Sequence, residues 1–302
     1  MSAVLNEEGP DKGAVWHFGE PYKEQKALEA GKAWADLSHL PALAITGSDR
    51  LTWLHALTTQ HLEKLQPGDW QSALILDPQG HIEEQFVLVD DGDTTWLFTE
   101  SSRVSILEKY LNSMKFMLRV EVRDASSEVA LLRAPGIEDE IGGPYALVPR
   151  SELAQMIETF NTTSMQIGSW ALDAMRVASG RPRLGFDTDA KAIPNELGML
   201  NKSVHMKKGC YRGQETVAKI ANLGKPPRRL TMLHLDGSGV SLPTPNSPII
   251  YNEKEIGYLG TVARHYELGT IALAVIKRAI PADAVLTVDG IPASQELIVP
   301  AE

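Results

Sequence analysis

The sequence has a single cysteine, Cys210, among its 302 residues. One thiol cannot form an internal disulfide, and by itself it cannot hold an iron–sulfur cluster or a structural zinc ion. The chain also lacks a run of about 18 apolar residues, so we expect no membrane span. Its polar, acidic first residues, MSAVLNEEGPDKG, lack the basic start and apolar stretch of a signal peptide, and we therefore expect a cytoplasmic protein.

Several common catalytic motifs are missing as well. The sequence contains no G-x-G-x-x-G, no P-loop, no H-E-x-x-H and no G-x-S-x-G. The eight histidines are scattered, and His55 and His61 share no evident metal-ligand spacing with a third group. The sequence accordingly predicts no metal site.

Charge is unevenly distributed along this acidic chain. The net charge of −10 argues against a broad nucleic-acid surface, and aromatic residues are not interleaved with the cations. Residues 202–229 nevertheless carry eight cations and one acid, a net charge of +7. This basic segment is either a solvated loop or an anion site. Its cations are Lys202, Lys207, Lys208, Arg212, Lys219, Lys225, Arg228 and Arg229.

The pattern of elements changes after Pro226-Pro227. Before it, helical stretches such as 23–35 alternate with strands, three of which we predict within residues 69–100. After it, short strands recur at regular spacing with turn signals between them, which is typical of a small β-barrel or sandwich. We predict two domains, 1–225 and 226–302.

One predicted strand, HIEEQFVLV, has an acid on its apolar side. Alternation places Glu84 on the face of Ile82, Phe86 and Leu88. A carboxylate on a core-facing position is costly unless it is paired or lines a pocket. The alternative is an edge strand from which Glu84 reaches solvent.

The lone cysteine lies in a basic turn that precedes a predicted helix. The stretch KKGCYRGQET places Cys210 between two glycines, and we predict a helix between Gly213 and Gly224. A helix N-terminus and nearby cations are features of reactive cysteines. The alternative is a small buried side chain, the usual state of a free cysteine.

The octapeptide KGCYRGQE resembles the signature K-G-C-[FY]-x-G-Q-E of the YgfZ-type folate-binding proteins, which are relatives of the glycine-cleavage T-protein (aminomethyltransferase). The match covers every fixed position. The stretch GCYRGQETVAKIANLGKPPRRL is most similar to actinobacterial members, and further stretches resemble the T-protein along the whole chain. These stretches are ADLSHLPALAITGSDRLTWL, LDPQGHIEEQFVLV, AMRVASGRPRLGFDTDAKAIPNELG and IGYLGTVARHYELGTIALAVIKR.

The resemblance implies an α+β, T-protein-like folate-binding region followed by a small C-terminal β-barrel. It implies a tetrahydrofolate-type ligand, a role in making or maintaining iron–sulfur enzymes, and Cys210 as the reactive thiol. Glu84 occupies the position of the T-protein's essential aspartate. The remaining residues proposed to contact folate are Glu196, Asn195, Arg176 and Trp170, the last by stacking on a pterin ring. The signature loop comprises Lys208, Gly209, Tyr211, Arg212, Gly213, Gln214 and Glu215.

Three functional hypotheses follow. The first is a folate-dependent auxiliary factor for iron–sulfur client proteins, with Cys210 as its reactive centre. The second is a folate-dependent one-carbon transferase in which Glu84 does the work of the T-protein's acid. The third is a binding module whose basic segment docks RNA or a protein partner, and the acidic composition makes RNA the weaker choice.

Overall fold

The computed structural model describes residues 3–236 and 242–300. These residues form two compact units, each discontinuous in sequence. The first unit comprises residues 3–76, 83–171 and 201–212, and the second comprises 77–82, 172–200, 213–236 and 242–300. The domain division predicted at residues 225 and 226 stays a prediction. The predicted α+β class with a C-terminal barrel is confirmed, and among the described residues no helix has the length and apolar character of a membrane span.

The first unit contains a five-stranded and a four-stranded sheet, with helices packed on them. Its elements are, in chain order, β1 (Val4–Leu5), β2 (Val15–His17), α1 (Pro21–Glu29), β3 (Ala33–Asp36), β4 (Ala42–Thr46), α2 (Arg50–Leu57), β5 (Trp70–Leu76), β6 (Ile82–Asp90), β7 (Thr94–Phe98), α3 (Val104–Ser113), β8 (Glu121–Asp124), β9 (Val129–Arg133), β10 (Tyr145–Pro149), α4 (Leu153–Thr163) and β11 (Met165–Ile167).

The five-stranded sheet has the strand order β5-β6-β7-β4-β8 and contains the three strands predicted within residues 69–100. Burial alternates along β6 as the sequence predicted, with Phe86 and Leu88 inside. They belong to one buried cluster with Leu54 of α2 and Leu107 of α3. Glu84 therefore lies on the sheet face that the two helices cover.

The four-stranded sheet has the order β10-β9-β3-β11 and corrects one prediction. The helix predicted over 23–35 ends at Glu29, and Ala33–Asp36 form a strand instead. Gly31 has a φ of 68°, a left-handed conformation that ends helices and that glycine adopts at little cost. The apolar residues after it are buried because β3 lies between two other strands.

The second unit is built around a closed barrel with the strand order β12-β15-β14-β13-β16-β17. Its core is one cluster of aliphatic side chains that includes Leu233, Ile249, Leu259 and Leu286. The helix predicted between Gly213 and Gly224 is present. The elements are α5 (Ser169–Ala178), which begins in the first unit, α6 (Gln214–Leu223), β12 (Arg228–Leu235), β13 (Pro248–Tyr251), β14 (Lys254–His265), β15 (Gly269–Lys277), β16 (Leu286–Val288) and β17 (Ile291–Leu297).

Candidate functional site

In the first unit, Glu84 forms a buried ion pair with Arg103. The glutamate is only 2% exposed, so it does not reach solvent from an edge strand. The arginine binds both carboxylate oxygens: Nη2 donates to Oε1 at 2.5 Å and Nε donates to Oε2 at 3.1 Å. The same Nη2 also donates to the carbonyl oxygen of Glu83 at 2.7 Å. Charge-assisted bidentate pairs of this kind fix both side chains in orientation.

Arg103 is available to Glu84 because of where α3 begins. It directly precedes the first residue of that helix, and α3 covers the sheet face on which Glu84 lies. Burial raises the pKa of the Glu84 carboxyl, and the hydrogen bonds and charge of Arg103 offset only part of that rise. The carboxylate is therefore held in an environment that favours its neutral form more than water does.

The part of the signature loop that lies in the first unit, residues 208–212, has one buried and one exposed functional side chain. The ammonium group of Lys208 is buried and donates to the backbone carbonyls of His55 and Thr58, the second at 2.5 Å. Burial lowers the pKa of Lys208 to about 8. Two residues further on, Cys210 is free and exposed. The structure therefore excludes the alternative of a buried, inert cysteine, and the thiol is accessible.

Other residues of the signature loop support its conformation. Tyr211 is buried with the Lys208 ammonium 5.1 Å from its ring centroid, and burial raises the pKa of its hydroxyl to about 12. Arg212 pairs with Glu83 at 2.9 Å. Gly213 has a φ of 80° and directly precedes α6, so glycine is required there for conformational reasons. The other members of the loop are Gly209, which is exposed, and Gln214 and Glu215, which begin α6.

Trp170, the residue predicted to stack on a pterin, is stacked on another tryptophan. Its ring lies 4.8 Å from that of Trp16 with 20° between the planes, and the ring of His17 meets it edge-on at 5.5 Å. One face of Trp170 is therefore occupied within the first unit. Its role in ligand binding stays a prediction.

In the second unit, Glu196 and Asn195 share the short 3-10 turn Pro194–Glu196. Arg228 binds both oxygens of Glu196, at 3.1 and 2.8 Å, and both oxygens of Asp189, at 2.6 and 3.1 Å. Although burial works against the charged form, these two acids raise the pKa of Arg228. Asn195 donates to the carbonyl of Val217 at 3.1 Å, and its buried Oδ1 has no hydrogen-bond partner among the described residues.

Arg176, also in the second unit, belongs to a network around a buried aspartate. Its Nη1 donates to Asp187 Oδ2 at 2.6 Å and its Nη2 donates to Thr261 Oγ1 at 2.7 Å. Asp187 also accepts from the backbone N–H groups of Arg183 and Thr261. Gly260 leaves room for this contact, because a Cβ there would lie 2.4 Å from Asp187 Oδ1. Arg176 thus binds protein groups at each of these nitrogens.

The basic segment 202–229 is neither simply solvated nor a cluster of exposed cations. Lys208 is buried, and Arg212 and Arg228 are paired with acids. Arg229 is buried and donates to the carbonyls of Arg278 and Ile280. Half of the eight cations therefore serve internal contacts, which the local charge count could not reveal because the partners are distant in sequence.

Comparisons with known proteins agree with this architecture. Residues 14–138 match the family model of the GCVT N-terminal domain. The fold is similar to that of glycine cleavage system aminomethyltransferase T from Bartonella henselae, with a TM-score of 0.80, 14% identity, and coverage of 99% of this chain and 94% of that one. The chain is 24% identical to an aminomethyltransferase of Rippkaea orientalis, over 87% of this chain and 83% of the relative. It is also 24% identical to a putative chloroplastic transferase of Arabidopsis thaliana, over 86% and 70%.

These matches agree with the sequence resemblance to the T-protein superfamily, and the fold is that of an aminomethyltransferase. The narrower YgfZ-type and actinobacterial-like assignments rest on sequence stretches around Cys210 and stay predictions.

Proposed function

We propose that this chain binds a reduced folate and transfers a one-carbon unit. The relatives to which it is similar are named for the transfer of an aminomethyl group. One observation carries the proposal. Glu84 is a buried, oriented carboxylate at the strand position that the sequence resemblance assigns to the T-protein's essential acid. The similarity to aminomethyltransferases over most of the chain favours this function over an iron–sulfur auxiliary role.

The chemistry of Glu84 suits the pterin of tetrahydrofolate. A 2-aminopyrimidinone ring presents two adjacent N–H donors, the same pattern that a guanidinium presents to a carboxylate. Arg103 now binds both oxygens of Glu84. A pterin that binds Glu84 in the same bidentate way would take the place of Arg103, whose side chain is 30% exposed.

In the second unit, Asn195 has an acceptor atom that the described residues do not use. Its buried Oδ1 accepts no hydrogen bond from the described residues, which is costly unless a ligand or water donates to it. Glu196 and Arg176 are held by protein partners, and we assign them a role in positioning the segment between α5 and α6.

The test is turnover. An aminomethylated carrier thiol and tetrahydrofolate should yield methylenetetrahydrofolate, ammonia and the free thiol. We expect release of methylenetetrahydrofolate by the wild type and its loss in Glu84→Gln. Calorimetric titration of tetrahydrofolate under anaerobic conditions should show binding weakened by about tenfold or more in that variant, because hydrogen bonds to a charged group contribute about 1.5–3 kcal/mol. Absence of both binding and turnover in the wild type would contradict the proposal.

A second function is favoured by the exposed thiol of Cys210. A folate-binding auxiliary protein for iron–sulfur clients would use this cysteine at a step after folate binding. Cys210→Ser should then bind tetrahydrofolate as the wild type does and fail to restore the activity of an iron–sulfur enzyme in cells lacking the protein. If Cys210→Ser restores that activity, the cysteine is not the reactive centre.

A further inference from the structure

Outside the groups assigned to folate, the first unit contains two histidines and a glutamate that converge. One ligand atom from each of His55, His61 and Glu63 lies within 4.8 Å of the others. We infer that these three residues form a binding site for a divalent transition metal, with Zn²⁺ as the ion best suited to the donor set. The sequence predicted no metal site, and the folate chemistry proposed above does not use these residues.

The fold brings the three ligands together at the end of α2. His55 lies in the last turn of that helix, and His61 and Glu63 lie in the segment that connects α2 to β5. The rings of His55 and His61 are 4.8 Å apart and nearly perpendicular. Both histidines are half-buried and Glu63 is exposed, so an ion can reach the cluster from solvent.

The donor set matches what Zn²⁺ prefers. Two imidazole nitrogens and one carboxylate make a three-ligand site that leaves one position for water. In a tetrahedral site with metal–ligand distances of about 2.0–2.1 Å, neighbouring ligand atoms are about 3.3 Å apart. Atoms that lie within 4.8 Å of one another therefore need to approach by at most about 1.5 Å, and the exposed side chain of Glu63 is free to move toward the histidines.

The hydrogen bonding of His55 identifies its ligand atom. The backbone N–H of Leu62 donates to His55 Nδ1 at 3.3 Å, so Nδ1 carries the lone pair when the ring is neutral. Coordination through Nδ1 replaces one long hydrogen bond and requires no loss of the Nε2 proton.

A third histidine adjoins the cluster and is incompletely bonded. The ring of His205 lies 5.2 Å from that of His61. Its Nδ1 is buried and has no hydrogen-bond partner among the described residues. Buried polar atoms are normally paired, so this nitrogen is open to a hydrogen bond with a ligand close to His61. His205 can bind water on the ion once the site is filled.

The experiment is calorimetric titration of ZnCl₂ into the full chain after treatment with a chelator, with the Co²⁺ absorption spectrum as a second readout. We expect one ion per chain in the wild type and a tetrahedral Co²⁺ spectrum. Glu63→Gln and His61→Gln should each weaken binding by tenfold or more, because losing even a group behind a ligand costs roughly 10–100-fold. Glu63 is exposed, so its variant tests the site without risk to folding.

Two controls separate this site from other metal-binding groups. His81→Gln removes a histidine that pairs with Asp77 at 2.8 Å in the second unit, and Cys210→Ser removes the only thiol. Neither should change the affinity or the stoichiometry. The inference is overturned if the wild type binds no Zn²⁺, if Glu63→Gln and His61→Gln bind as the wild type does, or if Cys210→Ser abolishes binding.

Discussion

Glu84 in the first unit and Glu196 in the second are both buried glutamates that pair with one arginine, but the surroundings of the two pairs differ. Each glutamate is almost fully buried, at 2% and 1% exposure. Each accepts hydrogen bonds on both oxygens from one arginine, Arg103 for Glu84 and Arg228 for Glu196. The resemblance to the T-protein assigns both acids to folate binding, yet their surroundings differ.

The difference lies in the arginines. Arg103 serves one carboxylate and one backbone carbonyl, and burial leaves the pKa of Glu84 raised in spite of it. Arg228 serves two carboxylates, and its hydrogen bonds outweigh burial and lower the pKa of Asp189. Under the proposed function, the Glu84 pair is therefore the one that exchanges its arginine for another donor, and the Glu196 cluster is expected to hold its loop in place.

Removal of the arginines should give the largest effects. Arg228→Met leaves Glu196 buried without its cation, and such a loss costs about 3–5 kcal/mol of the free energy of unfolding. Arg103→Met should cost less, about 1–3 kcal/mol, because it leaves one carboxylate without its cation, whereas Arg228→Met leaves two. Urea unfolding at neutral pH measures both changes.

The second mutation Glu196→Gln, made in the Arg228→Met protein, should recover part of the loss by removing the unpaired charge. Equal destabilisation by Arg103→Met and Arg228→Met would contradict the difference between the two pairs.

Local patterns in the sequence were sufficient to predict most strands of the five-stranded sheet in the first unit and the barrel class of the second unit. Alternation along β6 placed Glu84 on the buried face, and two glycines delimited α6. Strands β13 and β17 were not predicted. The helix predicted over 23–35 was too long because the buried residues of β3 lack the alternation that marks a half-exposed strand.

Pairings between distant residues could not be predicted. Arg103 is 19 residues from Glu84, and Arg228 is 39 residues from Asp189. His205 is 144 residues from its neighbour His61 by sequence number, and their rings lie 5.2 Å apart. No local period relates such residues, since their approach depends on how the chain returns to the same unit. The only signal for Arg103 was its place just before an apolar helical stretch.

After the losses of stability described above, the next largest effect is expected on the affinity for tetrahydrofolate. Arg103→Met frees the acceptor oxygens of Glu84, so tetrahydrofolate should bind several-fold more tightly than to the wild type, provided that the variant is folded. Glu196→Gln leaves the Glu84 pair intact, and its affinity should stay close to that of the wild type. Calorimetric titration gives both values. Weaker folate binding in Arg103→Met would mean that the Glu84–Arg103 pair is structural.

The contributions of Glu84 and Asp189 to stability should also change in opposite directions as the pH rises. Because the pKa of Glu84 is raised by folding, its contribution to stability is greatest below about pH 4.3, the ordinary value for a glutamate, and falls as the pH rises. Because the pKa of Asp189 is lowered, its contribution is present above about pH 3.9 and is lost as the pH falls.

This prediction is checked by measuring the free energy of unfolding of the wild type, Glu84→Gln and Asp189→Asn from about pH 3.5 to about pH 7. That range includes the ordinary pKa values of both side chains. The advantage of the wild type over Glu84→Gln should shrink with rising pH, and its advantage over Asp189→Asn should grow. Parallel profiles would show that the two acids have equivalent environments.

The smallest effect is expected at the edge of the Glu196 cluster. The backbone N–H of Asp189 donates to the Tyr258 hydroxyl at 3.0 Å, and burial raises the pKa of that hydroxyl, so it stays protonated. Tyr258→Phe removes the acceptor and should cost about 1 kcal/mol in urea unfolding, the net contribution of one neutral hydrogen bond. Tyr251→Phe on the same barrel, where the hydroxyl has no partner within the described part of the chain, should cost less. Equal costs would mean that the contact does not help to fix Asp189, and that Arg228 alone holds the loop.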